Sequence, residues 1–351
     1  MSAVIEAPIG AVATTRRSAG VWSAAARRFR SDRVGVASLV VAALFLLLVV
    51  CAALGLVAKD WQVERGVPDA PPSFVGPAKQ TESIAVAAPS GPNVDISAVD
   101  PLAPRYQEWA EAAKKYQTTA SVKATTLPFG ADRLGRDVLA KAIKGAQVSI
   151  LVGVSAALLA TAIGTLLGAA AGYFGGRVGD FLEWVYNVFT AIPGILLIFA
   201  FAAVFGRGVG SVVMILGLAG WPGIYRLIRA EFIKHAVRDY VRSAEAIGAS
   251  SMSRMFRHIL PNVSHVVLVQ LSIYVVGFIK SEVILSYLGL GVGVDEVSWG
   301  TMLSEAQSEL ILGHWWQLAA ATAFMAVFVT AFSLMTDALR DALDPKLRGL
   351  E

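Results

Sequence analysis

Two stretches of this chain, 34–58 and 148–174, run their whole length without a charged side chain. A helix rises about 1.5 Å per residue and the hydrocarbon core of a bilayer is about 30 Å thick, so roughly 20 consecutive apolar residues make a crossing. Inside lipid every backbone donor and acceptor must be satisfied within the chain, which leaves helices as the reading for runs of this length. Further apolar runs at 184–206, 208–225 and 315–336 add three spans. A less clean one runs from about Val263 to Leu290, with His265, Lys280 and Glu282 inside it. The expected fold class is an all-α membrane protein with six transmembrane helices. Composition agrees: 56% of the 351 residues are hydrophobic and 16% are charged, against about 25% charged in soluble domains.

The cations set an orientation. Arg16, Arg17, Arg27, Arg28, Arg30 and Arg33 precede the first span, and Arg340, Lys346 and Arg348 follow the last. The 226–257 loop is basic, whereas 291–313 holds Asp295, Glu296, Glu305 and Glu309 with no lysine or arginine. Short loops rich in Lys and Arg stay in the cytoplasm, so both termini are expected inside. The expected order is a cytoplasmic tail 1–33, a first span 34–58, a long outer segment 59–147, a core 148–337 containing the basic loop 231–262, and a cytoplasmic tail 338–351. The first apolar run is longer than the 7–15 residues of a signal-peptide core. The net charge of +4 clusters beside apolar runs, which fits membrane topology and gives no reason to expect a nucleic-acid partner. Cys51 is the only cysteine, and His235, His258, His265 and His314 show no metal-ligand spacing, so no metal site is expected.

Within the spans, Gly164, Gly168 and Gly172 fall on one helical face, with Gly153 further up the same run. Small faces let helices approach closely in lipid, and packing within the bundle is the expected use. Pro193 and Pro222 interrupt the third and fourth spans and can kink them. Lys280 and Glu282 either snorkel to the outer interface or face a translocation path or a partner subunit. Trp299, Trp315 and Trp316 are expected as interfacial anchors.

The segment 59–127 is rich in proline and expected to be mostly irregular, with a short helix over 103–116 carrying a stripe of Tyr106, Trp109, Ala110, Ala113 and Tyr116. That helix is read either as a docking element or as a packed surface loop. After it comes PFGADRLGRD, ending at Asp137. Gly130 suits a tight turn, Asp132 is expected to cap the following helix, and Asp137 and Lys141 stand at i,i+4 for pairing.

The most informative polar segment is 240–262, YVRSAEAIGASSMSRMFRHILPN. It resembles the cytoplasmic loop of permease subunits in binding-protein-dependent ABC importers, whose pattern is Glu-Ala-Ala, three residues, Gly, nine residues, Ile, one residue, Leu-Pro. Ala244, Gly248, Leu260 and Pro261 match. Arg242, Ser243 and His258 stand where the general pattern has Glu, Ala and Ile, which is similar to the variant of dipeptide and oligopeptide permeases. Three other segments resemble the same subfamily: PFGADRLGRDVL, with Asp132, Arg133, Gly135, Arg136 and Asp137; SWGTMLSEA, with Trp299 and Gly300; and DALRDALDPKLRG near the C-terminus.

The resemblance implies the second permease subunit of a peptide importer: a type I core of five helices preceded by one extra N-terminal helix, in the bacterial inner membrane. It implies a heterodimer with a second permease, two ATP-binding subunits carrying ATP and magnesium, and an extracytoplasmic substrate-binding protein docked near 298–313 and the 128–137 turn. The chain lacks GxxxxGK[ST] and so has no phosphate cradle or cofactor of its own. The loop, with a coupling helix at about 243–252, would carry ATPase movement through Arg242, Ala244, Glu245, Ala246, Gly248 and Ala249. Glu245 would pair with a basic ATPase residue, Arg242 or Arg254 with an acidic one, and Leu260-Pro261 would end the loop. Alternatives are an ion-coupled secondary transporter, a membrane-anchored enzyme working through its outer segment, and a permease of the same family importing nickel chelates or another small solute.

Overall fold

The structure, a computed structural model, describes residues 21–77, 100–115 and 123–343. Expectations placed on Arg16, Arg17, Tyr116, Lys346, Arg348 and most of the proline-rich stretch lie outside those residues. The helices are α1 (Val21–Ser31), α2 (Arg33–Ala53), α3 (Tyr106–Lys115, entered through a 3-10 turn at Ala103–Arg105), α4 (Val138–Phe174), α5 (Gly176–Ala191), α6 (Gly194–Phe205), α7 (Val209–Ala236), α8 (Asp239–Ala246), the three-residue α9 (Ser251–Ser253), α10 (Leu260–Tyr287), α11 (Trp299–Ile311) and α12 (Trp316–Leu343). A π-helical turn, Arg254–Ile259, joins α9 to α10 without a break.

Among the described residues five apolar helices are long enough to cross a membrane: α2, α4, α7, the continuous Ser251–Tyr287 and α12. The α5–α6 pair is bent by 88°. Its status follows from its neighbours. Positions 164, 168 and 172 of α4 meet Ile224, Ile228 and Phe232 of α7 in the same order, so the two helices run parallel. The chain between them must return across the bundle, and α5–α6 is that return. With that pair counted as one span, the described residues make six crossings. The break falls at Pro193, which lacks the donor that would continue the helix. Pro222 behaves differently: α7 runs through it.

Several expected boundaries move. The first span ends at Ala53 rather than 58, and Gly55 then turns with φ +71°. Helix α4 begins at Val138, inside what the sequence assigns to the outer segment. Asp137 caps it by accepting from the Leu139 and Ala140 amides, and its first turns bury Val138, Lys141 and Ala142. The cap is therefore Asp137 and not Asp132. Helices α7 and α12 extend past their apolar runs to Ala236 and Leu343.

The core is built on close approach. A Cβ added at Gly164, Gly168 or Gly172 would lie 2.8, 2.7 or 2.5 Å from a carbonyl oxygen of α7, so the glycine face packs within this subunit. Helix α2 runs antiparallel to α12. Gly35 sits against Ala338, and the Phe45 ring lies 5.9 and 5.4 Å from those of Phe324 and Phe328. At one end of the bundle Ala25 of α1 is buried with Ala342 and Leu343 of α12. At the other end isolated bridges tie Glu64 to Arg136, Gly66 to Ala124 and Pro72 to Leu127, building a cap from irregular chain. In that cap Gly135 has φ +80° and a Cβ there would stand 2.2 Å from the Gly66 carbonyl oxygen, so only glycine fits. On α3, Tyr106 and Trp109 are exposed rather than packed as a stripe.

Candidate functional site

At the α1 end of the bundle the chain leaves α7, makes α8 and turns back into α10. The turn is closely specified. Gly248, at φ +88°, follows the last residues of α8; its amide donates to the Glu245 carbonyl (2.9 Å), and the Ala249 amide donates to the Ala244 carbonyl (2.9 Å). These two bonds satisfy carbonyls that a helix end otherwise leaves free, and the left-handed position favours glycine. Ser250 then caps α9 by accepting from the Ser253 amide. The helix is thus Asp239–Ala246, earlier than the expected 243–252, and 247–250 is the connection between helices.

Burial sorts the residues. Val241 and Ala244 face inward and join the core with Met255, Ile259 and Phe232. Ala244 is therefore a packing residue, not part of an outward face. Arg242, Glu245, Ala246 and Gly248 are exposed, and Ala249 is half-buried. Within the subunit the exposed Glu245 carboxylate accepts from Arg254 at 2.6 Å. Leu260 and Pro261 open α10, within a helix that is continuous from Ser251. They lie where the π turn passes into α10, the Leu260 amide donating to the Met255 carbonyl. The wider π turn is where a residue without an amide donor is accommodated. Sequence reasoning passed over Ile247 and Met252, which are 85% and 59% exposed. Two uncovered apolar side chains flanking the glycine of an otherwise polar turn were the available signal.

The opposite end gathers the two outer signatures into one polar cluster. Asp132 is buried and accepts four bonds: from the Leu134 and Arg136 amides (2.9 Å each), Arg136 Nε (2.7 Å) and Lys141 Nζ (2.7 Å). Lys141, also buried, reaches Glu305 at 2.5 Å and Gln317 Oε1 at 3.0 Å. The expected Asp137–Lys141 pair gives way to this one, because Asp137 is occupied as a cap. Glu309 of α11, 2% exposed, accepts from the Arg133 amide at 3.2 Å. Trp316 Nε1 donates to the Ala131 carbonyl and Trp299 Nε1 to that of Ala142. Both rings are buried, so neither is the expected interfacial anchor; Trp315 remains exposed. A Cβ on Gly300 would sit 2.5 Å from the Val283 carbonyl oxygen, which seats the start of α11 directly on α10.

Asp132 and Glu309 of this cluster are shifted in opposite senses. Burial pushes the Asp132 carboxyl up, but Lys141 and the bonds around it win and hold it below its ordinary value. Burial pushes Glu309 above its ordinary value. Asp132 therefore contributes stability that is present above its unfolded value and lost as pH falls through its folded one. Glu309 contributes stability that is complete below its unfolded value and lost as pH rises through its folded one. The melting temperature of purified protein is expected to rise modestly on acidification from neutral, then drop below about pH 4. Glu309→Gln should flatten the first limb and leave the second.

The pair on α10 separates. Glu282 is 0% exposed, accepts from Ser286 Oγ at 2.7 Å and is faced by the hydroxyls of Ser149 and Ser298. It neither snorkels to the interface nor opens onto the subunit's surface, because it is packed inside the subunit with those three serines around it. Lys280 is exposed, on a face of α10 shared with Ile273, Ile284 and Tyr287. Among the described residues no group of His, Cys, Asp and Glu is arranged to hold a metal ion.

Residues 164–349 match the family described as binding-protein-dependent transport system inner membrane component. The chain is 36% identical over 220 residues to the dipeptide transport system permease protein DppC of Bacillus subtilis, covering 63% of this chain and 69% of that one. It is 34% identical over 238 residues to the oligopeptide transport system permease protein OppC of the same organism, covering 66% and 78%. With the glutathione transport system permease protein GsiD of Shigella sonnei it shares 39% identity over 223 residues, covering 63% and 73%.

Proposed function

The chain belongs to the family of binding-protein-dependent transport system inner membrane components, and on that premise we propose that it forms half of the translocation path of an ATP-driven peptide importer. It is a multi-helix permease subunit of the bacterial inner membrane, and ATP hydrolysis belongs to separate subunits of such importers. The peptide assignment is supported by relatives named for dipeptides, oligopeptides and glutathione, itself a tripeptide.

The observation that carries the mechanism is the turn at 247–250: rigidly hydrogen-bonded, yet presenting Ile247 and Met252 uncovered. Apolar side chains held out on a fixed turn suit a partner's groove, since burying each one adds binding free energy. In this reading the turn is cytoplasmic and both termini lie inside, as the flanking cations require. Ile247 and Met252 enter a groove on one of two ATP-binding subunits, which hold ATP and magnesium. Exposed Arg242 meets an acidic residue at the rim. The Lys280 face of α10 turns toward a second permease or the path between them. The outer cluster around Asp132, Arg133, Arg136 and α11 supports the surface where a substrate-binding protein docks.

The test is uptake of labelled di- to pentapeptides and glutathione into proteoliposomes holding the complete complex. Uptake is expected to need ATP and the binding protein and to survive a protonophore. Ile247→Asp should lower it about tenfold or more, as loss of a buried apolar anchor does. Uptake driven by a proton gradient without ATP would defeat the reading. Import of a nickel chelate with no peptide uptake would replace the substrate class.

A further inference from the structure

The coupling turn hangs from α7 on one side and α10 on the other, and those attachments alone would let it rock. A third attachment exists. Arg254, in the π turn, donates to Glu245 at 2.6 Å and to Ser251 Oγ at 3.3 Å, so it spans the connection from one side to the other. Its guanidinium also lies 5.7 Å from the ring centroid of Tyr173, which belongs to the last turn of α4. A planar guanidinium can pair with a carboxylate and stack on an aromatic face at the same time.

Helix α4 is the element this clamp reaches. It has 37 residues, a length of about 55 Å at the usual helical rise. Its first turns hold the opposite end of the molecule, through Lys141 on Asp132 and Glu305 and through Ser149, which accepts from the Trp299 amide at 3.2 Å. Between the two ends its glycine face locks it to α7 by backbone contact. One helix thus touches both the inner turn and the outer cluster.

We propose that Arg254 is a positioning residue that joins the coupling turn to α4, so that α4 carries the signal between the ATPase side and the outer cluster. The proposal rests on the coupling role of the turn. Displacement of the turn drags Arg254, Arg254 drags Tyr173, and the stiff α4–α7 pair transmits the shift to the seat of α11. The same path works in reverse: a protein docking on the outer cluster biases the turn and hence the ATPase.

The experiment uses the complete reconstituted complex and compares ATP hydrolysis with and without loaded binding protein. Arg254→Met, which keeps an apolar stem but removes pair and stack, is expected to lower binding-protein stimulation and uptake about tenfold. Tyr173→Leu, outside the turn, should do the same. Arg254→Lys, which keeps a charge for Glu245 but not the planar stack, should recover only part. Wild-type stimulation in Arg254→Met and Tyr173→Leu, with the unaltered complex coupled normally, overturns this inference alone. If Arg254→Met does not assemble, Tyr173→Leu decides by the same criterion. An unaltered complex whose hydrolysis ignores the binding protein overturns both this inference and the coupling role beneath it.

Discussion

Asp132→Ala is expected to destabilise the protein by about 3 kcal/mol or more, the usual scale for removing one member of a buried charge pair. The side chain accepts two backbone amides, Arg136 Nε and Lys141 Nζ. Truncation takes an acceptor from all four donors: the two amides lose theirs, Arg136 is left with Glu305 at 3.6 Å, and buried Lys141 keeps only Glu305 and Gln317. Asp132→Asn should fall between, since an amide oxygen still serves the Leu134 and Arg136 amides but supplies no charge. Thermal unfolding in detergent, followed by loss of the monodisperse peak, reads the difference. A loss of less than about 1 kcal/mol for the alanine variant would mean that the cluster is a surface ion pair and no more.

Gly168→Leu should be more damaging still. The contact at this position is with the backbone of α7: the Tyr225 carbonyl oxygen at 2.7 Å and the Arg229 amide at 3.1 Å from an added Cβ. Backbone cannot rotate away as a side chain can, so the helices must part over several turns, including the neighbouring Gly164 and Gly172 contacts. Overpacking of a core typically costs about 1–3 kcal/mol, and separating two helices along a shared face sits at or above the top of that range. The expected result is near-complete loss of folded permease from the membrane. Gly277→Leu on α10 provides the control. Nothing lies within 4 Å of a Cβ there, so the subunit should fold normally, and any defect should appear only on assembly with a partner. Normal yield of Gly168→Leu would refute the close parallel packing of α4 and α7.

Much of this was readable in the chain. Uncharged runs longer than a bilayer is thick leave little choice but helices, so six crossings could be counted before any coordinates. The glycine spacing in 164–172 announced a close-packed face, and the spacing from Gly248 to Leu260-Pro261 announced the turn. These are local properties: they depend on which residues follow one another, on hydropathy over a window, and on one backbone position that favours glycine.

Partners were another matter. Asp137, Asp132 and Lys141 are neighbours in sequence, and pairing the first with the third was the local solution. The fold instead spends Asp137 on a helix end and brings Glu305 and Gln317 to Lys141 from the last third of the chain. Glu245 found its cation in Arg254, across a turn whose closure no spacing rule specifies. Trp299 and Trp316 read as interfacial anchors, and Glu282 as snorkelling or facing a path or partner, until α11 was seated against α10 and α4. Hydropathy along a sequence fixes where a segment lies relative to lipid, because that is a transfer free energy summed over neighbours. Which charge meets which, and which apolar side chain stays uncovered as Ile247 does, depends on contacts between segments far apart in the chain, and only the tertiary structure decides those.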